Sequence, residues 1–186
     1  MRLFSYIVAH DSGFAPCVTA NMCTLACCKP KIRKNAHEGD WVLGTTPKKH
    51  GPCRLVYLMR VDSALKFADY YRDRRLRRRA DNIYYPLSDG RYEQKQNPWH
   101  KHAHKKKDTS LDRVLLSREF VYLGGKAVDI PPTYKTFVHT RQGHRVFGKR
   151  PLELEKIVSF RKWAFSPGTG RLGKPIEKPH AHKDCI

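Results

Sequence analysis

The run Arg54-Leu-Val-Tyr-Leu-Met-Arg-Val61 constrains this chain most, because Leu55 to Met59 are five consecutive apolar residues. It reads as a well-buried strand, and it is far short of the ~20 residues needed to cross a bilayer. Two further strands fit around it. Residues 2–9 alternate aromatic or aliphatic side chains and end at the turn signal Asp11-Ser-Gly13. Gly39-Asp40 delivers the strand Trp41-Val-Leu-Gly44 after a polar stretch from Asn35. The N-terminus mimics a signal peptide only briefly, since His10-Asp11 interrupts the apolar stretch, and it reads as an opening strand.

Helical patterns are fewer. The small residues from Cys23 to about Cys28 suggest a short helix stopped by Pro30. Asp62 or Ser63 caps a second helix whose apolar stripe is Ala64, Phe67, Ala68 and Tyr71. A last amphipathic helix spans Leu152 to Trp163, with Leu152, Ile157, Phe160 and Trp163 as its core face. Val114-Leu-Leu-Ser-Arg-Glu-Phe-Val-Tyr122 reads as one strand, and Ile130 to Phe137 as a turn with a short helix or extended piece. Residues 47–52 and 86–112 read as loops, the longer one polar, basic and mobile. The sum is an α+β domain over residues 1–165, a small curled or barrel-like mixed sheet with two or three flanking helices. Residues 166–186 read as a loosely held Pro/Gly/His-rich tail. At 186 residues the chain suits one domain, burying roughly 70% of its unfolded surface.

Charge narrows the partners. Six arginines occupy eight positions from Arg72 to Arg79, and the formal net charge is +20. Arginines packed this densely repel one another, and a polyphosphate relieves that repulsion through bidentate hydrogen bonds and released counterions. The bland alternative is a solvated helix face or a disordered loop. A second cluster, His100-Lys-His-Ala-His-Lys-Lys-Lys107, strengthens nucleic acid as the partner, with DNA and RNA equally compatible with the charge and no membrane expected. Arg74, Arg75, Arg77, Arg78, Lys105 and Lys106 are the expected phosphate contacts. Asn82 offers an amide to a base edge and Tyr84 a stacking face. Arg118 in its strand must be paired or face a cavity, and Gly143-His144-Arg145 can present a backbone nest with two cationic side chains.

Several residues can carry chemistry. His10 beside Asp11 is a turn-former, a recognition element or a general base. The six cysteines stand at 17, 23, 27, 28, 53 and 185, with no CxxC spacing for zinc. Reduced thiols in a cytoplasmic setting are the simplest account. Cys23, Cys27 and Cys28 are small core residues, ligands or nucleophiles, with Lys29 or Arg33 able to activate a thiolate. A metal at these cysteines would need a fourth ligand from afar, such as His10 or His144. The period-two histidines 100, 102 and 104 suit a phosphate-contacting loop or a spacer better than a metal. Neither a metal nor a cofactor is expected.

Read in order, Tyr6-Ile-Val-Ala-His-Asp-Ser-Gly-Phe-Ala-Pro16, Cys23-Thr-Leu-Ala-Cys-Cys-Lys-Pro-Lys-Ile-Arg33 and Gly39-Asp-Trp41 resemble the second family of nucleotide modification associated domains. Leu55 to Val61, Asp81-Asn-Ile-Tyr84, Leu116 to Phe120 and Gly143-His-Arg145 continue the likeness over most of residues 2–165. Families under that name accompany bacterial and phage systems that hypermodify DNA bases, so the resemblance implies that context and, with it, DNA as the partner in preference to RNA. The strand order is also similar to PUA-like barrels of the EVE and ASCH type, which hold a flipped base in an aromatic-lined pocket. That similarity implies a pocket walled by His10, Phe14 and Trp41, and Phe14 and Arg33 join the expected nucleic-acid contacts. The expected function is a DNA-binding accessory of a base-modification or phage-defence system that recognises a modified or flipped nucleotide. The alternative is a hydrolase or transferase on a nucleotide or modified base, using His10, Asp11 and Cys23 or Lys29.

Overall fold

The structure, a computed structural model, describes residues 1–177 except Ala20, Lys49, His50, Pro52 and Gln142. The first half of the chain forms β1 (Leu3–Ile7), β2 (Cys17–Val18), β3 (Cys23–Leu25), α1 (Pro30–Asn35), β4 (Trp41–Thr45), β5 (Arg54–Arg60), β6 (Ser63–Leu65) and α2 (Phe67–Arg72). The second half adds β7 (Tyr84–Pro86), β8 (Tyr92–Gln94), α3 (Lys105–Thr109), β9 (Val114–Ser117), β10 (Phe120–Tyr122), β11 (Val128–Asp129), β12 (Arg145–Phe147), α4 (Pro151–Ala164) and β13 (Gly170–Arg171).

Two sheets carry the architecture. The larger runs β12-β1-β4-β5-β10-β13 with β11 also on β5, and the smaller runs β2-β3-β9-β6. Strands β1 and β4 are parallel, as are β10 and β13, and the other neighbours are antiparallel. Strands β7 and β8 pair separately. Among the described residues the large sheet ends at β12 and β13, which do not pair, so the mixed α+β fold contains no closed barrel.

Period-two alternation builds the layers. Phe4 and Tyr6 of β1, Val42 of β4 and Met59 of β5 point into one core with Cys23, Leu25 and Leu115 of the small sheet. Leu3, Trp41, Leu43 and Leu58 point the other way, onto Ile157, Phe160 and Ala164 of α4. A third core lies behind the small sheet, where Phe67 and Tyr70 of α2 and Tyr84 meet Val114 and Leu116. The alternation breaks once, at a bulge that matches Gly44 to Tyr57 and Thr45 to Leu55, leaving Val56 extra. Gly44 is required there because a Cβ would strike the Tyr57 ring and a Val8 methyl. With that space clear, the Tyr57 hydroxyl reaches the Tyr6 hydroxyl at 2.8 Å in the buried core.

The strands at 3–7, 41–45 and 54–60 stand where the sequence places them. Asp40 explains the Gly-Asp signal: its carboxylate accepts from the Arg2 amide at 2.7 Å and the His37 amide at 3.0 Å, aligning β4 beside β1. Pro132–Phe137 is a short 3-10 helix, as expected of that segment.

Other expectations are corrected. Cys23–Leu25 is a strand, and Pro30 starts α1 rather than stopping an earlier helix, because a missing N–H costs nothing in a first turn. Residues 114–122 form two strands in different sheets, with exposed Arg118 and Glu119 at the corner where the chain crosses. The Arg118 amide donates to Asp62 at 2.5 Å, while its side chain faces outward. Leu152 is 75% exposed, so the core face of α4 is Ile157, Phe160 and Ala164, with Trp163 packed partly buried against it as expected. Four α-helices are present among the described residues instead of two or three. The 86–112 segment contains β8 and α3, and after Ser166 the chain adds β13 to the large sheet. Residues 178–186, with Cys185, and part of the 47–52 loop lie outside the described residues.

Candidate active site

Between β3 and α1 the chain turns at Cys28 (φ 60°) and Lys29 (φ 42°), two successive non-glycine residues in the left-handed region. Such conformations cost about 1–3 kcal/mol each and persist only where the surroundings impose them. Two groups do so here. The Asp108 carboxylate accepts from the Cys28 amide at 2.7 Å, and the Arg33 Nε donates to the Cys28 carbonyl at 3.0 Å. Arg33 is fully buried and also donates to the carbonyls of Asp108 at 2.6 Å, Leu111 at 3.1 Å and Arg113 at 2.6 Å. One planar guanidinium therefore ties the Cys28 turn to the α3 segment, a task that suits its five fixed donors.

That tie brings three side chains into line. The Cys28 Sγ lies 3.4 Å from His100 Nε2, and His100 Nδ1 lies 2.8 Å from an Asp108 carboxylate oxygen. The Tyr84 hydroxyl donates to the same oxygen at 2.8 Å. Burial pulls the Asp108 carboxyl upward, yet hydrogen bonds from His100, Tyr84 and the Cys28 amide outweigh it and hold the group below the usual carboxylate range. An ionised Asp108 fixes the proton on Nδ1, which leaves Nε2 as the acceptor facing the thiol. His100 is anchored besides: Asn97 accepts from its amide at 2.7 Å, and its ring packs on Phe14 at 4.6 Å.

The arrangement opens on a cavity of about 290 Å³. Tyr6, Val8, Phe14 and Ile32 form its apolar wall, and the Phe14 and Trp99 rings stack at 5.3 Å with 10° between their planes. The other lining residues include Lys29, Lys31, Lys107, His10, His144 and Glu177. Cys28 sits at this surface with 7% of its area exposed. Cys27, His100 and Asp108 also offer ligand atoms within 4.8 Å of one another. Here the Cys27 thiol donates to the Asp81 carbonyl at 3.7 Å, while His100 Nδ1 donates to the Asp108 carboxylate at 2.8 Å.

The model of the nucleotide modification associated domain 2 family matches residues 1–182. The chain belongs to that family. No curated protein and no solved structure matches it.

Within this nucleotide modification associated domain, the residues singled out by sequence separate into three groups. His10, Phe14, Lys29 and His144 line the cavity with Cys28, and His10 contacts Glu177 at 3.2 Å. Asp11 is buried beside it and accepts from the Tyr122 hydroxyl at 2.7 Å; burial outweighs that bond and raises its carboxyl. A second group is structural. Cys23 is wholly buried with its thiol on the Met59 sulfur at 3.4 Å, so it has no access to a substrate. Arg33, Asn82 and Tyr84, expected on a nucleic acid, are buried: Asn82 donates to the carbonyls of Tyr70 at 2.8 Å and Leu76 at 3.2 Å. Trp41 packs on Phe165 in the α4 layer, away from the cavity.

The third group is exposed. Arg74, Arg75, Arg77, Arg78, Lys106, Arg118 and Arg145 face outward, and Lys105 pairs with Glu93 at 2.9 Å. The arginine run is a set of turns after α2, secured by its last member. Arg79 is buried and donates to Thr24 at 2.9 Å and to the Cys17 carbonyl at 2.5 Å. Sequence reasoning missed His100 and Asp108 as partners of Cys28. They stand 72 and 80 residues away in the chain, and such sets are assembled in space rather than in sequence.

Proposed function

We propose that this domain is a cysteine-dependent acyl-transfer enzyme acting on a nucleotide or nucleobase in a DNA base-modification or defence system. The observation that carries this reading is the Cys28–His100–Asp108 alignment, 3.4 Å and 2.8 Å, at the edge of a cavity of ligand size. His100 takes the thiol proton through Nε2 as Sγ bonds to the acyl carbon. As the tetrahedral intermediate collapses, the bond from that carbon to the leaving nitrogen or oxygen breaks, and His100 returns the proton to the leaving atom. Water then attacks the thioester, its proton passing to His100, and Cys28 departs to be reprotonated. The sum is hydrolysis of one acyl bond with no oxidant or reductant.

The exposed arginines at 74, 75, 77 and 78 support DNA as the polymer that brings the nucleotide. They also support the rival reading, a PUA-like reader that binds a modified or flipped base without changing it. Incubating the protein with N-acylated nucleotides and with acyl-modified DNA, followed by nucleoside mass spectrometry, separates the two. The enzyme reading expects deacylated product and an acyl adduct on Cys28, both lost in Cys28→Ala. Tight binding of modified DNA with every nucleoside returned intact would establish the reader and end the enzyme reading.

A further inference from the structure

The cavity beside Cys28 has an unequal charge lining. Lys29, Lys31 and Lys107 border it with His10 and His144, whereas Glu177 is the one carboxylate among its described lining residues and already contacts His10 at 3.2 Å. His144 registers the excess: burial, and after it the charges of Lys31, His139 and Lys29, hold its imidazole below the usual histidine range. Cations gathered at a partly enclosed recess raise the local concentration of anions and favour an anionic guest. The lining also has an apolar, aromatic part, in which Lys29 Nζ lies over the Tyr6 ring at 5.0 Å and Phe14 lies flat on Trp99. At about 290 Å³ the space lies at the small end of ligand pockets, enough for one nucleotide and too small for a folded segment.

We infer that the cavity takes a single nucleotide by its phosphate, seated on Lys29, Lys31 and Lys107, with its base against the Phe14–Trp99 wall. The inference rests on Cys28 as the nucleophile at that cavity, and it names the group by which the substrate is held. The nucleotide is free or carried in a strand; both present the same phosphate.

The test measures how ligands protect Cys28 of the full chain from iodoacetamide, read residue by residue by mass spectrometry. The probes are a nucleoside, its 5′-monophosphate, inorganic phosphate and a short single-stranded oligonucleotide. The monophosphate should half-protect at a concentration about tenfold or more below that of the nucleoside, the order of one charge-assisted contact. In Lys31→Met/Lys107→Met, two exposed positions, that difference should shrink towards unity. Protection by the oligonucleotide alone assigns the phosphate to a strand, and protection by the monophosphate assigns it to a free nucleotide. Equal protection by nucleoside and monophosphate, with no protection by the oligonucleotide, would overturn the inference while leaving Cys28 reactive. A Cys28 that iodoacetamide never reaches would instead overturn the nucleophile reading beneath it.

Discussion

Asp108→Asn should cut turnover by about 10²–10⁴-fold while leaving the protein folded. The replacement keeps the shape but lets the side-chain amide present an N–H to His100 Nδ1, where the carboxylate only accepts. The imidazole then loses the partner that fixes its proton on Nδ1, and Nε2 no longer waits as acceptor 3.4 Å from the thiol. A purely structural role would lower stability without moving the pH profile. Here the acid limb of turnover should shift, because His100⁺ loses its ionised neighbour and gives up its proton more readily, so the limb moves to lower pH. The same carboxyl makes the wild type acid-sensitive. Its folded value is depressed below the unfolded reference of about 3.9, so its contribution to stability is present above that value and lost as pH falls through the folded one. Urea midpoints of the two proteins should differ near neutral pH and converge in strong acid.

Arg33→Met should destabilise the fold by about 3–5 kcal/mol, the largest effect expected of any single replacement around the site. The methionine fills much of the volume, yet the carbonyls of Cys28, Asp108, Leu111 and Arg113 lose their shared donor, the first two in buried contacts and the others in part-buried ones. Burial lowers the Arg33 guanidinium from its ordinary range, and the neighbouring Cys27, Asp108, Cys28 and Tyr84 groups offset that only in part. Arg33→Lys retains the charge but not the planar fork, so it should recover only part of the loss. Chemical denaturation followed by far-UV circular dichroism checks both. Equal midpoints for wild type and Arg33→Met would remove the claim that this side chain holds the Cys28 turn in its left-handed conformation.

What the sequence disclosed follows from how local each signal is. The strand at 54–60 was legible because a continuous apolar run depends on nothing beyond itself, and the Gly39-Asp40 signal because Gly39 takes φ 83° while Asp40 binds the amide of His37, three residues away, and that of Arg2. The 23–28 segment was misread because small residues fit a helix and a crowded sheet equally well, and β9 with β6 on its other side decided the matter. Arg118-Glu119 concealed a corner between sheets, since two exposed residues inside an apolar run fit a straight strand with one wet face. At the site, Phe14, Lys29 and His144 were named from the chain and do line the cavity. Arg33 and Tyr84 were placed on nucleic acid because their types suit it, yet their partners are a set of carbonyls and the Asp108 carboxylate. Asp108 itself was hidden after three lysines, a context that reads as solvated until α3 packs its one acid inward.

The most direct measurement is the order in which the cysteines react with limiting iodoacetamide near neutral pH, located by mass spectrometry. Cys53 is half-buried and Cys28 only 7% exposed, so accessibility alone places Cys53 ahead of Cys28. Burial also raises the Cys53 thiol, with Lys48 offsetting it only in part. If His100 and Asp108 activate Cys28, it is alkylated ahead of Cys53, and His100→Gln reverses the order. Alkylation of Cys53 with Cys28 untouched in the wild type would contradict the account.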